Sequence, residues 1–322
     1  MVTSMGKHLY RKAKILYTPA MACISSTRNY HMHEPIDLMN EFTICESFAT
    51  ENSPYMVALN KPLTYGEMVG DFLIQHRMLP AGSSMLEVGG GYGSLMQGML
   101  HAYAHIIKKA IMVDLSRTLL LKQKSSLARW KNLLSFIQAD ALEIIPTLSH
   151  IDLIILNEVI ADLDTLTDLD QSAPPRQAAK LIKLYDLETP STGTFNFNIG
   201  AIQLVEALCM KNIPAFISEH SCDPIIPGDL KFLEKDLALD SFPREIPLWR
   251  HSEYTIRFSH LIKVARKFGK KTLSGPLIDL VGIKRSKALN FIFTSRACST
   301  PDQEIIFELL DHIREYRWLL IY

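Results

Sequence analysis

From Met85 onward, apolar positions switch repeatedly between short continuous runs and stretches with helical spacing. Met85–Val88 is a brief apolar run ending in glycines, Ser94–Lys109 reads as a helix, Ala110–Val113 as a strand and Ser116–Trp130 as a helix. Leu134–Gln138 and Ile151–Leu156 add two more strands. Ile111-Met112-Val113 and Leu153-Ile154-Ile155-Leu156 carry no polar residue, as expected of strands covered on both faces. Strands alternating with helices of this length predict β-α-β units, a parallel sheet and right-handed crossovers, so the fold class is α/β. Upstream, Tyr65–Met78 has apolar residues at helical spacing and stops before Pro80-Ala81-Gly82, and Ile36–Phe48 reads as a short helix. Downstream, Asp162–Pro175 is acidic and polar and is expected to be a loop or lid. Helices are predicted over Arg176–Tyr185, Ile199–Lys211 and Phe258–Phe268, the last closed by Gly269, and strands over Thr194–Asn198, Pro214–Ser218 and Leu289–Thr294. Cys222–Leu248 holds four prolines and is expected to pack irregularly.

Composition narrows the possibilities without naming a chemistry. The 322 residues suffice for about two domains, or for one core with a large appendage. Lys plus Arg (34) equals Asp plus Glu (34), so no global field draws the chain to nucleic acid or an anionic membrane, and no nucleic-acid partner is expected. No uncharged apolar stretch reaches the roughly 18–20 residues of a membrane span. The five cysteines include no C-x-x-C pair, which speaks against a disulfide framework or zinc knuckle, and no metal-ligand set is read from the sequence. A cytoplasmic location follows as the expectation. Met1 to His33 holds five Lys or Arg and no acid, a bias shared with organelle transit peptides, so a mitochondrial location is the alternative.

Candidate chemistry concentrates in Leu86-Glu87-Val88-Gly89-Gly90-Gly91-Tyr92-Gly93-Ser94, where a strand turns into a helix. Glycine there lets the backbone take positive φ and come close to a ligand. The dinucleotide pattern G-x-G-x-x-G would need a third glycine at Ser94 and lacks it. The pattern E-x-G-x-G-x-G is complete at Glu87, Gly89, Gly91 and Gly93. Asp114 ends the next strand, where a carboxylate can accept from both hydroxyls of a ribose, in either a nicotinamide or an adenosyl cofactor. Asp140 closes the strand after that. Any one of these acids alone is equally a solvated turn residue; the ordered series beside the glycine turn favours a nucleoside-containing ligand.

This arrangement resembles the first motifs of class I S-adenosylmethionine-dependent methyltransferases. The resemblance implies a Rossmann-like fold, a mostly parallel twisted sheet with helices on both faces. It also implies S-adenosyl-L-methionine as cofactor, with Glu87 near the methionyl end, Asp114 on the ribose, and Asp140 and the backbone of Ala141 on the adenine. Asn157-Glu158 would lie against the methionyl end. L-N-E-V-I-A-D-L is similar to the A-N-E-F-F-D-A-L segment of the MidA-like methyltransferases, which include a mitochondrial protein-arginine methyltransferase that assists respiratory complex I assembly. Gly89–Met96 and Gly275–Ile283 are similar to further segments of that family. The match spans about residues 63–295, so residues 1–62 are expected to be an extension, 161–190 and 220–255 substrate-side insertions, and 296–322 a C-terminal helix or tail. The family's Asp position is Ala161, with Asp162 displaced by one, and Glu219-His220-Ser221 stands where the family has an aspartate-tyrosine-glycine turn. Methyl transfer to a nitrogen or oxygen, including that of a protein arginine or of a small molecule, is the expected activity. In it Glu158 and Glu219 would orient a cationic acceptor, and His220 would serve as base for a less basic nucleophile such as a hydroxyl. Two alternatives are a non-catalytic assembly protein that keeps the fold, and a nicotinamide-dependent oxidoreductase. The oligomeric state is not encoded in any motif.

Overall fold

The apolar runs become neighbouring strands of one seven-stranded sheet. The computed structural model describes residues 23–25, 27–38, 42–50, 53–228, 230–235, 237–282, 291, 295 and 301–322. In chain order the strands are β1 (Cys23–Ile24), β2 (Ser83–Val88), β3 (Ile107–Asp114), β4 (Leu134–Gln138), β5 (Leu153–Asn157) and β6 (Leu166–Asp170). They continue as β7 (Thr194–Phe197), β8 (Ala215–His220), β9 (Glu245–Pro247), β10 (Ser252–Tyr254), β11 (Thr272–Pro276) and β12 (Tyr316–Ile321). The central sheet has the order β11-β12-β8-β5-β2-β3-β4. Strands β4, β3, β2, β5 and β8 run parallel, and β12 is antiparallel to both its neighbours.

Chain order reverses between β2 and β5: the chain moves outward through β3 and β4, then returns to β5 on the other side of β2. Loops diverge at such a switch point and leave a crevice beyond the carboxyl ends of the strands. One apolar layer, with Leu95, Met99, Met85 and Met112, fills one face of the sheet. A second, with Leu86, Ile154, Leu204 and Phe258, fills the other.

Several expectations are corrected. The predicted helix Ser94–Lys109 ends at Tyr103, and β3 begins at Ile107 because Lys108 and Lys109 occupy a solvent-exposed strand entrance. Ser116–Trp130 is a helix only over Arg117–Ser126, capped by the Ser116 hydroxyl, followed by a single 3-10 turn at Ala128–Trp130. The expected loop Asp162–Pro175 contains β6, which is paired on both edges by β1 and β7 in a separate three-stranded sheet. Thr194–Asn198 does form a strand, yet in that small sheet. Of Ile36–Phe48, only Ile44–Ser47 is α-helical among the described residues. The predicted final strand Leu289–Thr294 lies outside the described residues apart from Phe291, and the basic stretch up to residue 22 lies outside them too.

Segments on either side of the predicted methyltransferase region enter the core. Ile44 and Phe48 are fully buried against Tyr65 and Leu95, so part of the expected extension belongs to the main core. The expected C-terminal tail supplies a helix, Pro301–Ile313, and β12, which sits inside the central sheet with all six residues buried. The helix Tyr65–Gln75 starts with a capping box, Thr64 accepting from the Glu67 backbone and Glu67 from that of Thr64. Among the described residues, no helix is long and apolar enough to cross a membrane.

Candidate active site

Three glycines shape the floor of the crevice. Gly89, Gly91 and Gly93 have φ of 65°, 53° and 90°, the left-handed region that side chains avoid. At Gly89 a Cβ would come within 2.4 Å of Val159 Cγ2, so the turn fits against the loop after β5 only without a side chain. Gly89 and Gly91 line a cavity of about 480 Å³, a size suited to a single nucleoside-sized ligand. Gly93 lies outside the cavity lining; it begins the helix Ser94–Tyr103.

The three strand-end acids all line this cavity. Glu87 is buried, and its Oε2 has no hydrogen-bond partner among the described residues. Burial, reinforced by the charge of Asp114, raises its pKa to about 8. Asp114 accepts from Ser116 N and Gln123 Nε2, each at 2.8 Å. Burial raises its pKa to about 6 in spite of these two bonds. Asp140 caps the short helix Ala141–Ile144 through Leu142 N at 2.8 Å. Its Oδ2 accepts from Arg28 Nε at 2.8 Å, so the carboxylate expected to meet adenine also holds a guanidinium delivered by the helix Thr27–His33. As the first residue of its helix, Ala141 keeps a backbone N–H that no intrahelical carbonyl can reach.

Beyond β5 lies a dense polar network. Asn157 Oδ1 accepts from Tyr65 Oη at 2.9 Å and from the Ser218 hydroxyl, and its Nδ2 donates to Glu158 Oε2 at 3.1 Å and to Cys45 Sγ at 3.3 Å. Glu158 takes a φ of 50°, which turns its side chain back into the crevice. Its carboxylate accepts from Ile44 N at 3.1 Å and from Tyr316 Oη at 2.8 Å. Burial outweighs these bonds and raises its pKa to about 7. Glu219 accepts from His220 N at 2.9 Å and Ala161 N at 3.3 Å, and burial holds its pKa well above the ordinary carboxylate range. His220 packs on Tyr316 with ring centroids 3.9 Å apart, and its Nδ1 is buried without a hydrogen-bond partner among the described residues. Burial, with Arg244 and His312 nearby, lowers its pKa to about 3, so it is neutral at physiological pH.

The structure therefore brings Glu87, Gly89, Gly91, Asp114, Asp140, Ala141, Asn157, Glu158, Glu219 and His220 around one cavity, with Gly93 just outside. Two features differ from the sequence expectation. The carboxylates of Glu158 and Glu219 already receive protein donors, which leaves little of either to clamp a substrate. With its pKa lowered to about 3, His220 is a weak base for the hydroxyl nucleophile it was expected to serve. Sequence reading also missed the wall built by Arg28, His31, Phe42, Cys45 and Glu46 from the N-terminal segment and by His312 and Tyr316 from the C-terminal one. The apolar run Trp318–Tyr322 was a signal for the latter; nothing local marks the former. Asn198 ties the surrounding segments, donating to Thr165 Oγ1 and Thr255 O and accepting from Arg257 N, each at 3.2 Å.

No protein-family model matches this chain, and no curated protein matches it. Among solved structures it is similar to an uncharacterised protein of Burkholderia thailandensis, at 14% identity over 92% of this chain and 86% of the other, with a TM-score of 0.52. A second Burkholderia thailandensis protein, bound to S-adenosyl-homocysteine, aligns at 16% identity over 85% and 78% of the two chains with a TM-score of 0.48. An S-adenosylmethionine-dependent methyltransferase of Clostridium acetobutylicum aligns at 13% identity over 83% and 95%, with a TM-score of 0.40. At 14% identity, what the first of these shares with the chain is the fold, the Rossmann-like α/β sheet described above.

Proposed function

We propose that the crevice binds S-adenosyl-L-methionine and that the protein transfers its methyl group to a nitrogen of a cationic acceptor. The single observation that carries this reading is Glu87: a buried carboxylate beside a three-glycine turn, with one oxygen lacking a hydrogen bond among the described residues. An amino-acid ammonium donates to that oxygen and draws the carboxyl into its ionised form, whereas a pyrophosphate offers it no donor. Asp114 suits a ribose diol, and Asp140 with Ala141 N suits an adenine edge. Bound there, the cofactor supplies an electrophilic methyl on a sulfonium. The protein's part is alignment of donor and acceptor, the largest contribution available to a bimolecular displacement.

The acceptor side follows from charge. Ten of the cavity-lining residues are Asp or Glu against one Arg and no Lys, a balance that favours a cation such as a guanidinium or amine over a carboxylate or phenolate. Glu158, with its pKa near neutrality, is better matched than His220 to receive the proton such a nitrogen must lose. Neutral His220 accepts a hydrogen bond from the acceptor through Nδ1, and Glu219 holds the turn after β5 in place through Ala161 N. The resemblance to MidA-like enzymes agrees with a protein arginine as acceptor. Incubation with methyl-labelled cofactor and a panel of arginine peptides, amines, phenols and carboxylates tests this. Label should appear on the cationic compounds and vanish with Glu158→Gln while S-adenosylhomocysteine still binds. Label confined to phenols or carboxylates would reject the assigned acceptor class.

Arg28 gives a second check. Its ion pair with Asp140 is partly exposed and worth about 1 kcal/mol, and adenine must displace it. Arg28→Ala should therefore tighten S-adenosylhomocysteine binding by roughly 5-fold in a calorimetric titration. Unchanged or weaker binding would show that Asp140 does not meet the adenine.

A further inference from the structure

Where the covering segments meet above the cavity, three side chains converge that the proposed methyl transfer does not use. His31 comes from the helix Thr27–His33, Asp162 from the 3-10 turn Ile160–Asp162 after β5, and His251 from the turn joining β9 to β10. One ligand atom from each lies within 4.8 Å of the other two. His31 Nε2 is 3.2 Å from Asp162 Oδ1. Both atoms are shielded from solvent, and neither has a partner with hydrogen-bond geometry among the described residues.

The rings are held in place. His251 is buried and stacks on Tyr30 with centroids 4.3 Å apart and planes 14° apart, and His31 meets it edge-on at 5.5 Å. Glu253 Oε1 lies 3.6 Å from His251 Nε2 and adds negative charge beside the cluster. Bonds of about 2.0–2.2 Å to nitrogen and carboxylate oxygen in a tetrahedron separate ligand atoms by roughly 3.3–3.5 Å. The His31–Asp162 pair, at 3.2 Å, is about 0.1 Å short of that spacing, and rotation of the side chains closes the widest separation.

We propose that His31, Asp162 and His251 bind a divalent transition-metal ion at the cavity mouth. Two imidazoles and one carboxylate suit zinc, iron(II) or cobalt(II) over magnesium or calcium, which prefer all-oxygen sets. Three protein ligands leave a coordination position open, and His31 and Asp162 both line the cavity, so that position faces it. The ion would pin the N-terminal helix and the β9–β10 hairpin to the loop after β5, closing the cover over the crevice. The competing arrangement of the same atoms is an ion pair between protonated His31 and Asp162 with no metal. This inference does not rest on the cofactor assignment.

The full chain, stripped with chelator and free of nucleoside ligand, is titrated with Co²⁺ and read by calorimetry and visible absorption. One ion should bind per chain and raise the melting temperature by mass action. Asp162→Asn should weaken binding by more than about 10-fold. If that variant lacks a melting transition, His31→Gln makes the same test. His33→Ala, which alters the neighbouring histidine of the His31-Met32-His33 run but not the cluster, should bind as the parent does. Absence of saturable binding, equal affinity in Asp162→Asn, or loss in His33→Ala would overturn the site. The last two results would mark an adventitious ion on surface histidines.

Discussion

A chain ending at Glu315 should not fold. β12 lies between β8 and β11, and its loss would expose the edges of both. It would also remove the buried side chains of Tyr316, Trp318, Leu319, Leu320 and Ile321. At roughly 2 kcal/mol each these contribute about 10 kcal/mol, against a total domain stability of roughly 5–15 kcal/mol. The measurement is thermal and denaturant unfolding followed by circular dichroism. No cooperative transition is expected; one within a few degrees of the full chain would mean that β12 is an appendage.

That strand also shows where local sequence reading stops. Its apolar run is a strand signal, but a segment following a long interval of helix and irregular chain reads as a tail, and nothing local says that it inserts between two earlier strands. The same holds for β6, whose Leu166 and Leu169 face inward while the polar residues between them resemble a loop. Its partners β1 and β7 lie far off in the chain. The glycine turn, Asp114, Asp140 and Asn157 were legible because each needs only a strand end and a few neighbouring residues. Arg28 on Asp140, Tyr316 on Glu158 and Ile44 on Glu158 are tertiary meetings across more than 100 residues, and spacing carries no trace of them. Burial sets the protonation of Glu219 and His220, and burial is the property a sequence reports least well for residues at a strand's end.

Glu87→Gln should have two opposite effects. Its amide keeps the shape of the side chain and removes the charge, so the charge-assisted bond to the ligand ammonium is lost. At about 1.5–3 kcal/mol, S-adenosylhomocysteine binding should weaken by roughly 10–100-fold. The same substitution should stabilise the ligand-free protein in alkali. The folded-state pKa of about 8 stands above the unfolded value of 4.5. The stabilising contribution of the protonated group is therefore complete below about pH 4.5 and is lost as pH rises through 8. Above that, the parent carries a buried ionised carboxylate and the glutamine variant does not. Glu87→Gln should melt roughly 2–5 °C higher than the parent at pH 9, and within error of it at pH 5. A variant equally stable at both pH values and binding ligand normally would place Glu87 outside the site. Cavities that trade stability for binding in this way are expected where a charge is kept dry for a ligand.

The most direct measurement is a calorimetric titration of the full chain with S-adenosylhomocysteine, run beside Gly89→Val. In that variant a branched side chain must occupy a left-handed residue whose Cβ would sit 2.4 Å from Val159. One site per chain is predicted for the parent, with binding abolished in the variant while its melting transition persists. No heat at millimolar ligand, or undiminished binding in Gly89→Val, would contradict the assignment of the glycine turn to an adenosyl cofactor.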